Sequence, residues 1–307
     1  MTSAKDLLKG FLEKDLRSLS RLISLSENKD DLSSEILAEV FGQIGHSRVI
    51  GFTGPPGAGK STLTSHFVKL IREQNKTVAV VAVDPVSPFS GGALLGDRIR
   101  LVDHFNDSGV FIRSLSTRGK LGGLSLATRQ VVHLLDAFGF DFILLETVGV
   151  GQSEIDVRNI ADATLLVLVP EWGDSIQTIK AGILEIGDIF VVNKSDRDGA
   201  DKLLTELKLM LQMAHRESSP LLLSNHQDED SLRTLFGAVL NFFETKINLI
   251  NSRRATASIE TANELMTTFV AREAIRWIKQ NNLPSENPYR FYQDFLKKHP
   301  AGTLFRT

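Results

Sequence analysis

The rhythm of apolar residues changes twice along the chain. Between residues 7 and 40 they recur at helical spacing, first Leu7, Leu8, Phe11 and Leu12 and then Leu32, Ile36 and Val40, which predicts two or three short amphipathic helices. From Arg48 the pattern becomes a series of short continuous runs: "RVIGFTG", "TVAVVAVD", "VFIRS", "DFILLET", "ATLLVLVP", "DIFVVNKSD" and "PLLLSN". Near-continuous apolar strands separated by helical stretches predict a mostly parallel sheet buried on both faces. After about Ile247 the strands stop. "TANELMTTFVAREAIRWIKQ" spaces Leu265, Phe269, Ile275 and Ile278 at near-helical intervals and predicts a long helix, and "NPYRFYQDFLKKH" a further short one. The expected architecture is α/β, a sheet sandwiched by helices, with a helical extension over 1–46, a core over 47–247 and a second helical extension over 248–307.

Composition narrows the chemistry. The formal charge is 35 − 37 = −2, which implies no basic face and points away from nucleic acid. There is no cysteine, so disulfides, thiolate nucleophiles and Cys-based zinc or nickel sites are ruled out, and the chain fits a reducing cytosol. The seven histidines (46, 66, 104, 133, 215, 226 and 299) show no paired ligand spacing. The apolar runs are strand length and too short to cross a bilayer. The first residues, "MTSAKDLLKGFLEKD", carry acids early and have no apolar core. They read as neither a secretory signal nor a transit peptide, and a cytoplasmic protein without membrane contact is expected.

In a parallel sheet, ligands bind beyond the carboxyl ends of the strands, and the polar motifs of this chain fall there. After "VIGF" comes "GPPGAGKST": Gly54, Pro55, Pro56, Gly57, Ala58, Gly59, Lys60, Ser61 and Thr62. Its G-x-x-x-x-G-K-S/T spacing, between a strand and a helix from about Ser61, suits a loop whose backbone N–H groups face a β-phosphate. Lys60 would reach the β and γ oxygens, and the Ser61 hydroxyl would ligate Mg²⁺. "FVVNKSD" ends another strand with Asn193, Lys194 and Asp196, the N-K-x-D arrangement of guanine-binding proteins. A carboxylate there accepts from the ring N–H and the exocyclic amine of guanine, a donor pair that adenine lacks. Such polar sites reject the wrong partner by ~10⁴-fold. The stem of Lys194 can lie on the purine face. Read alone, the same residues could be an Asn/Asp turn. Ser224 and Asn225 fall where a second guanine-contacting loop is expected.

"DFILLETVGVGQSE" ends a further strand with Glu146 and Gly149 in an E-x-x-G pattern. Gly149 would sense a γ-phosphate through its N–H, and Glu146 would act on Mg²⁺ directly or through water. No Gln directly follows the Gly, and Gln152 comes three residues later, so slow intrinsic hydrolysis is expected. In "AVDPVSPFSGGALLGDRIR", Asp84 at a strand end is a candidate for the metal shell, and Asp97 could reach the same cation or cap the next helix.

Together "TGPPGAGKSTL", "VDPVSPFSGGALLGDRIRL", "RSLSTRGKLGGLS", "ETVGVGQSE" and "DSIQTIKAGILEIGDIFVVNKSD" resemble the GTPase chaperones of methylmalonyl-CoA mutase, the MeaB/ArgK type, over roughly residues 10 to 270. The resemblance implies a P-loop NTPase core with helical extensions, the C-terminal one forming a homodimer. It also implies Mg²⁺ and GTP or GDP as bound species. The implied partner is an adenosylcobalamin-dependent acyl-CoA mutase, whose cofactor loading such proteins gate. By the same transfer, Lys60, Ser61, Asp84, Asp97 and Glu146 serve phosphate and metal, and Asn193 and Asp196 hold guanine. Asp174, Gln177 and Lys180 match a switch segment that relays nucleotide state to the mutase; by spacing alone they are a polar helix face. Glu171 and Trp172 stand where the family usually has small residues. Three other readings are a nickel-insertion GTPase, disfavoured by the missing Cys/His cluster, an uptake-system kinase or ATPase, disfavoured by Asn193 and Asp196, and a non-enzymatic nucleotide-dependent binding module, which turnover with and without the mutase separates.

Overall fold

The computed structural model describes residues 4–28, 31–85, 104, 106–117, 123–147, 153–170 and 182–280. Each of the seven apolar runs forms a strand: β1 (Arg48–Thr53), β2 (Val78–Pro85), β3 (Val110–Thr117), β4 (Phe142–Thr147), β5 (Ala163–Leu168), β6 (Ile189–Asn193) and β7 (Leu221–Ser224). They pair in parallel in the order β3-β2-β4-β1-β5-β6-β7. Around them run α1 (Ala4–Leu12), α2 (Leu16–Glu27), α3 (Asp31–Val40), α4 (Lys60–Glu73), α5 (Gly123–Phe138), α6 (Ser153–Ile160), α7 (Gly182–Ile186), α8 (Ala200–Met213), α9 (Glu229–Thr245) and α10 (Ile247–Gln280). The early helical rhythm thus becomes three α-helices, and the long helix expected late in the chain is α10. The segment "NPYRFYQDFLKKH" lies outside the described residues.

The continuous apolar runs follow from a sheet covered on both faces, because successive side chains of a strand point opposite ways. In β4, Phe142 and Leu144 join a core with α4 and α9, whereas Ile143 and Leu145 join a second core with α1, α2, α3 and α5. A third cluster packs Leu166, Phe190 and Val192 against α8. Phe67 of α4 meets Phe52 of β1 and Phe236 of α9 edge-on, each at 5.2 Å between ring centroids. Such pairs add about 0.5–1.5 kcal/mol each beyond burial. They fix α4 against the central strand and so fix where its N-terminus points.

The amino ends of the strands carry an acid ladder. Asp141, Asp162 and Asp188 immediately precede β4, β5 and β6. Each accepts a backbone N–H from the start of an adjacent strand: Thr77 to Asp141 at 2.8 Å, Val49 to Asp162 at 2.9 Å and Thr164 to Asp188 at 3.0 Å. Two consecutive arginines of α10 complete it. Arg253 donates to both oxygens of Asp188 at 2.8 and 2.7 Å, and Arg254 to both oxygens of Asp162 at 2.7 and 2.6 Å. These bonds raise both guanidinium pKa values, against burial, which lowers them. Beside this clamp a cavity of about 240 Å³ is lined by Phe41, Val132, His133, Asp136, Ile160 and Arg254, among others.

The chain divides into two compact units, Met1–Ser258 and Ile259–Thr307. The first holds the sheet and both layers of helix. In the second, the described helical residues expose Ile259, Met266, Phe269 and Ile275 to solvent. Among the described residues, no helix is long and apolar enough to cross a membrane.

Candidate functional site

The strand order reverses at β1. The chain moves from β1 to one side of the sheet through β2, β3 and β4, and then to the other side through β5, β6 and β7. A crevice opens beyond the carboxyl end of such a strand, and the 54–62 loop begins there, directly after Thr53. Gly54 has φ 136°, and a Cβ on it would stand 2.1 Å from the carbonyl oxygen of Val167 in β5. Gly59 has φ 89°, and a Cβ there would stand 2.4 Å from the Asn193 amide nitrogen. Both positions therefore require glycine, for backbone angle and for space. Gly59 also starts α4 with no side-chain cap, and an uncapped helix N-terminus favours negative charge.

Lys60 is buried, and its ammonium donates to the carbonyls of Gly54 at 2.7 Å and Pro55 at 2.9 Å. Burying a charge is tolerated only with such partners, so the lysine is tethered inside its own loop. The next residue, Ser61, donates its hydroxyl to Glu146 Oε1 in a short hydrogen bond, and both residues are only 7% exposed. Glu146 reaches this point because β4 lies beside β1, with Glu146 opposite Phe52. A hydroxyl and a carboxylate meeting at a helix N-terminus form an all-oxygen donor set, the kind that suits a hard divalent cation such as Mg²⁺.

The base-side motif joins the same loop. Asn193, the last residue of β6, donates its amide N–H to the carbonyl of Ala58 at 2.7 Å. Lys194 takes a left-handed turn, φ 55°, and its ammonium donates to the carbonyl of Gly57 at 2.8 Å. Asn193 lies opposite Ser224, the last residue of β7, and Ser195 N donates to the Ser224 carbonyl at 3.1 Å. Asp196 is exposed on the turn that follows, and Asn225 is half-buried.

The structure thus brings Gly54, Pro55, Gly57, Ala58, Gly59, Lys60, Ser61, Glu146, Asn193 and Lys194 into one bonded constellation. Pro56 lies in the same loop and Thr62 in the first turn of α4. Asp84 occupies a register position near the carboxyl end of β2, next to β4. Asp97, Gly149, Gln152, Glu171, Trp172, Asp174, Gln177 and Lys180 lie outside the described residues. The sequence left two links unread: the bond from Asn193 to Ala58, and the attachment of Lys194 to Gly57. Each spans more than 130 residues of chain.

A family model described as methylmalonyl-CoA mutase-associated GTPase MeaB matches residues 19–278. The chain belongs to the MeaB family. A Pyrococcus abyssi protein named as a GTPase is 51% identical over 208 residues, 68% of this chain and 64% of the relative. A mouse protein named methylmalonic aciduria type A homolog, mitochondrial, is 44% identical over 172 residues, 55% of this chain and 41% of the relative. The matched stretch is thus less than two thirds of either relative's length. Among solved structures, one titled LAO/AO transport system kinase superposes with a TM-score of 0.70 over 96% of this chain and 97% of its own, at 23% identity. At that identity the likeness shows the fold alone. The sequence-based family resemblance and the P-loop α/β fold are both borne out by these comparisons.

Proposed function

We propose that this MeaB-family protein binds GTP at the carboxyl rim of its sheet and hydrolyses it slowly to GDP and phosphate. In this proposal the change of state gates adenosylcobalamin loading of an acyl-CoA mutase, methylmalonyl-CoA mutase first. The observation that carries the nucleotide reading is the direct bonding of the base-side motif to the phosphate-side loop, Asn193 to Ala58 and Lys194 to Gly57. Two motifs that are remote in sequence share one surface, as a single nucleotide spanning them requires. The mutase partner rests on the family description.

Each residue has a role in this reading. Backbone N–H groups of the 54–62 loop and Lys60 hold the β- and γ-phosphates, and Ser61 offers its lone pairs to Mg²⁺ while its proton stays on the Glu146 bond. When bound, Mg²⁺ supplies neutralisation of the charge that gathers on the phosphoryl oxygens. Asp84 and Asp97 complete the acid set, and Gly149 senses the γ-phosphate. Asn193 and Asp196 select guanine, with Lys194, Ser224 and Asn225 as its walls. Asp174, Gln177 and Lys180 form the relay to the mutase. The exposed apolar residues of α10 at 259, 266, 269 and 275 support a homodimer through the C-terminal extension. The working division into 1–46, 47–247 and 248–307 and a cytoplasmic location belong to the same proposal.

The test is GTP turnover measured with and without methylmalonyl-CoA mutase. Slow hydrolysis alone, raised at least about tenfold by the mutase, is expected for a GTPase whose catalytic constellation is completed by its partner. Equal rates with and without the mutase, and no complex formed with a GTP analogue bound, would overturn the chaperone assignment while leaving GTP binding standing.

A further inference from the structure

The motifs do not explain what holds the base-side wall of the carboxyl rim in place. Asn193 Oδ1 and Ser224 Oγ belong to residues only 4% and 0% exposed, and neither atom has a hydrogen-bond partner among the described residues. They stand on directly opposed residues at the last register of β6 and β7. Buried polar atoms are nearly always paired, so two adjacent exceptions at a strand end mark where a polar ligand would be met. Directly after Ser224 the chain enters the 225–228 loop. Among the described residues β7 has four residues and one neighbour, β6, so the strand itself gives the loop little support.

One hydroxyl on α9 bonds both ends of the loop. Ser231 Oγ accepts from Asn225 N at 3.2 Å and donates to the Asp228 carbonyl at 2.8 Å, with the Asn225 carbonyl a second acceptor at 3.3 Å. Asp228 N donates to that same Asn225 carbonyl at 3.0 Å, and Gln227 N to Asn225 Oδ1 at 3.0 Å. Leu232 and Leu235 are buried in the core, so the first turn of α9 is a fixed mount. We infer that Ser231 is a positioning residue for base recognition, holding the 225–228 loop at the end of β7 through its hydroxyl. The inference rests on the proposed guanine site and adds the residue that pre-organises its outer wall. Ordering a loop before the ligand arrives removes that cost from binding.

The experiment compares binding of GDP with binding of tripolyphosphate, which has the phosphates and no base. Ser231→Ala is expected to weaken GDP about three- to tenfold, the range for one lost hydrogen bond, and to leave tripolyphosphate unchanged. Ser231→Thr, which keeps the hydroxyl, should stay within about twofold of the wild type for both. Asp15→Ala serves as a fold control. Its carboxylate caps α2, accepting from the amides of Arg17 and Ser18 at 3.2 and 2.9 Å, and has no part in the 225–228 loop. It should lower the melting temperature without altering the ratio of the two affinities. Equal weakening of GDP and tripolyphosphate in Ser231→Ala, no weakening of either, or an equal shift of the ratio in Asp15→Ala would overturn the positioning role. If the wild-type protein bound ATP as well as GTP, the guanine site itself would fail; a GTP-selective wild type with a silent Ser231→Ala rejects only this inference.

Discussion

The two ends of the sheet are built from similar residue types and do opposite things with them. At the amino end, Asp162 and Asp188 are bonded to a backbone N–H and to an arginine each, and those arginines bind further carbonyls, Gly45 and Ser47 for Arg254 and Asp162 for Arg253. At the carboxyl end, strands β1, β6 and β7 finish in Thr53, Asn193 and Ser224, and each has a buried side-chain oxygen with no hydrogen-bond partner among the described residues. Thr164, near the start of β5, is the counterexample at the amino end. The amino rim spends its polar groups on holding α10 to the strands. The carboxyl rim leaves side-chain oxygens of Thr53, Asn193 and Ser224 without a partner among the described residues, as a rim that receives the proposed nucleotide would. Three such oxygens fall together at the carboxyl strand ends, and they mark the rim where the proposed base would be met.

The sharpest way to break this contrast is a reciprocal pair of substitutions. Arg254→Ala leaves Asp162, whose side chain is 3% exposed, without its ion-pair partner. Removing one member of a buried pair costs about 3–5 kcal/mol. Chemical denaturation should show that loss while GTP affinity, measured where the variant is folded, stays near the wild-type value. Lys60→Ala should do the reverse, weakening GTP by roughly 10- to 100-fold, the scale of a charged hydrogen bond, with a small change in stability. If each variant changed both quantities alike, the division of labour between the rims would be wrong.

A smaller effect sharpens the amino side. Burial holds the His133 imidazole down at about 4; Asp136 opposes the shift, and Arg129 and Arg254 add to it. Its folded pKa lies below the unfolded value, so between pH 6.5 and 4 the unfolded chain takes up a proton that the folded chain refuses. Stability from this group is complete above that window and is lost as pH falls through it. His133→Gln should flatten the pH dependence of the melting temperature between pH 6.5 and 4.5 relative to the wild type. An identical slope in both would remove His133 from the network.

Much of the fold was legible because its signals are local. Seven uninterrupted apolar runs became seven strands, since a strand covered on both faces leaves no polar alternation to obscure it. The 54–62 loop could be read for the same reason: its glycines are demanded by its own backbone, with φ of 136°, 76° and 89° at Gly54, Gly57 and Gly59. The amino rim was not legible. An Asp before a strand looks like a turn residue, and the partner that gives Asp162 its meaning is Arg254, 92 residues later. Asp141, Asp162 and Asp188 do share one visible signal, an aspartate directly before three of the apolar runs, though nothing local says which cation it binds. The link between the two nucleotide motifs was equally hidden, because Asn193 meets Ala58 only once β6 lies two strands from β1.

The central claim is that a guanine base is held at the carboxyl ends of β6 and β7, and one titration tests it most directly. Wild-type protein and Asp196→Asn are each titrated with GTP and with xanthosine triphosphate in the presence of Mg²⁺. The account predicts that the wild type prefers GTP and that the variant's preference moves to xanthosine triphosphate, because an amide can donate to the carbonyl that xanthine has in place of the amine. An Asp196→Asn protein that kept the wild-type preference for GTP would contradict it.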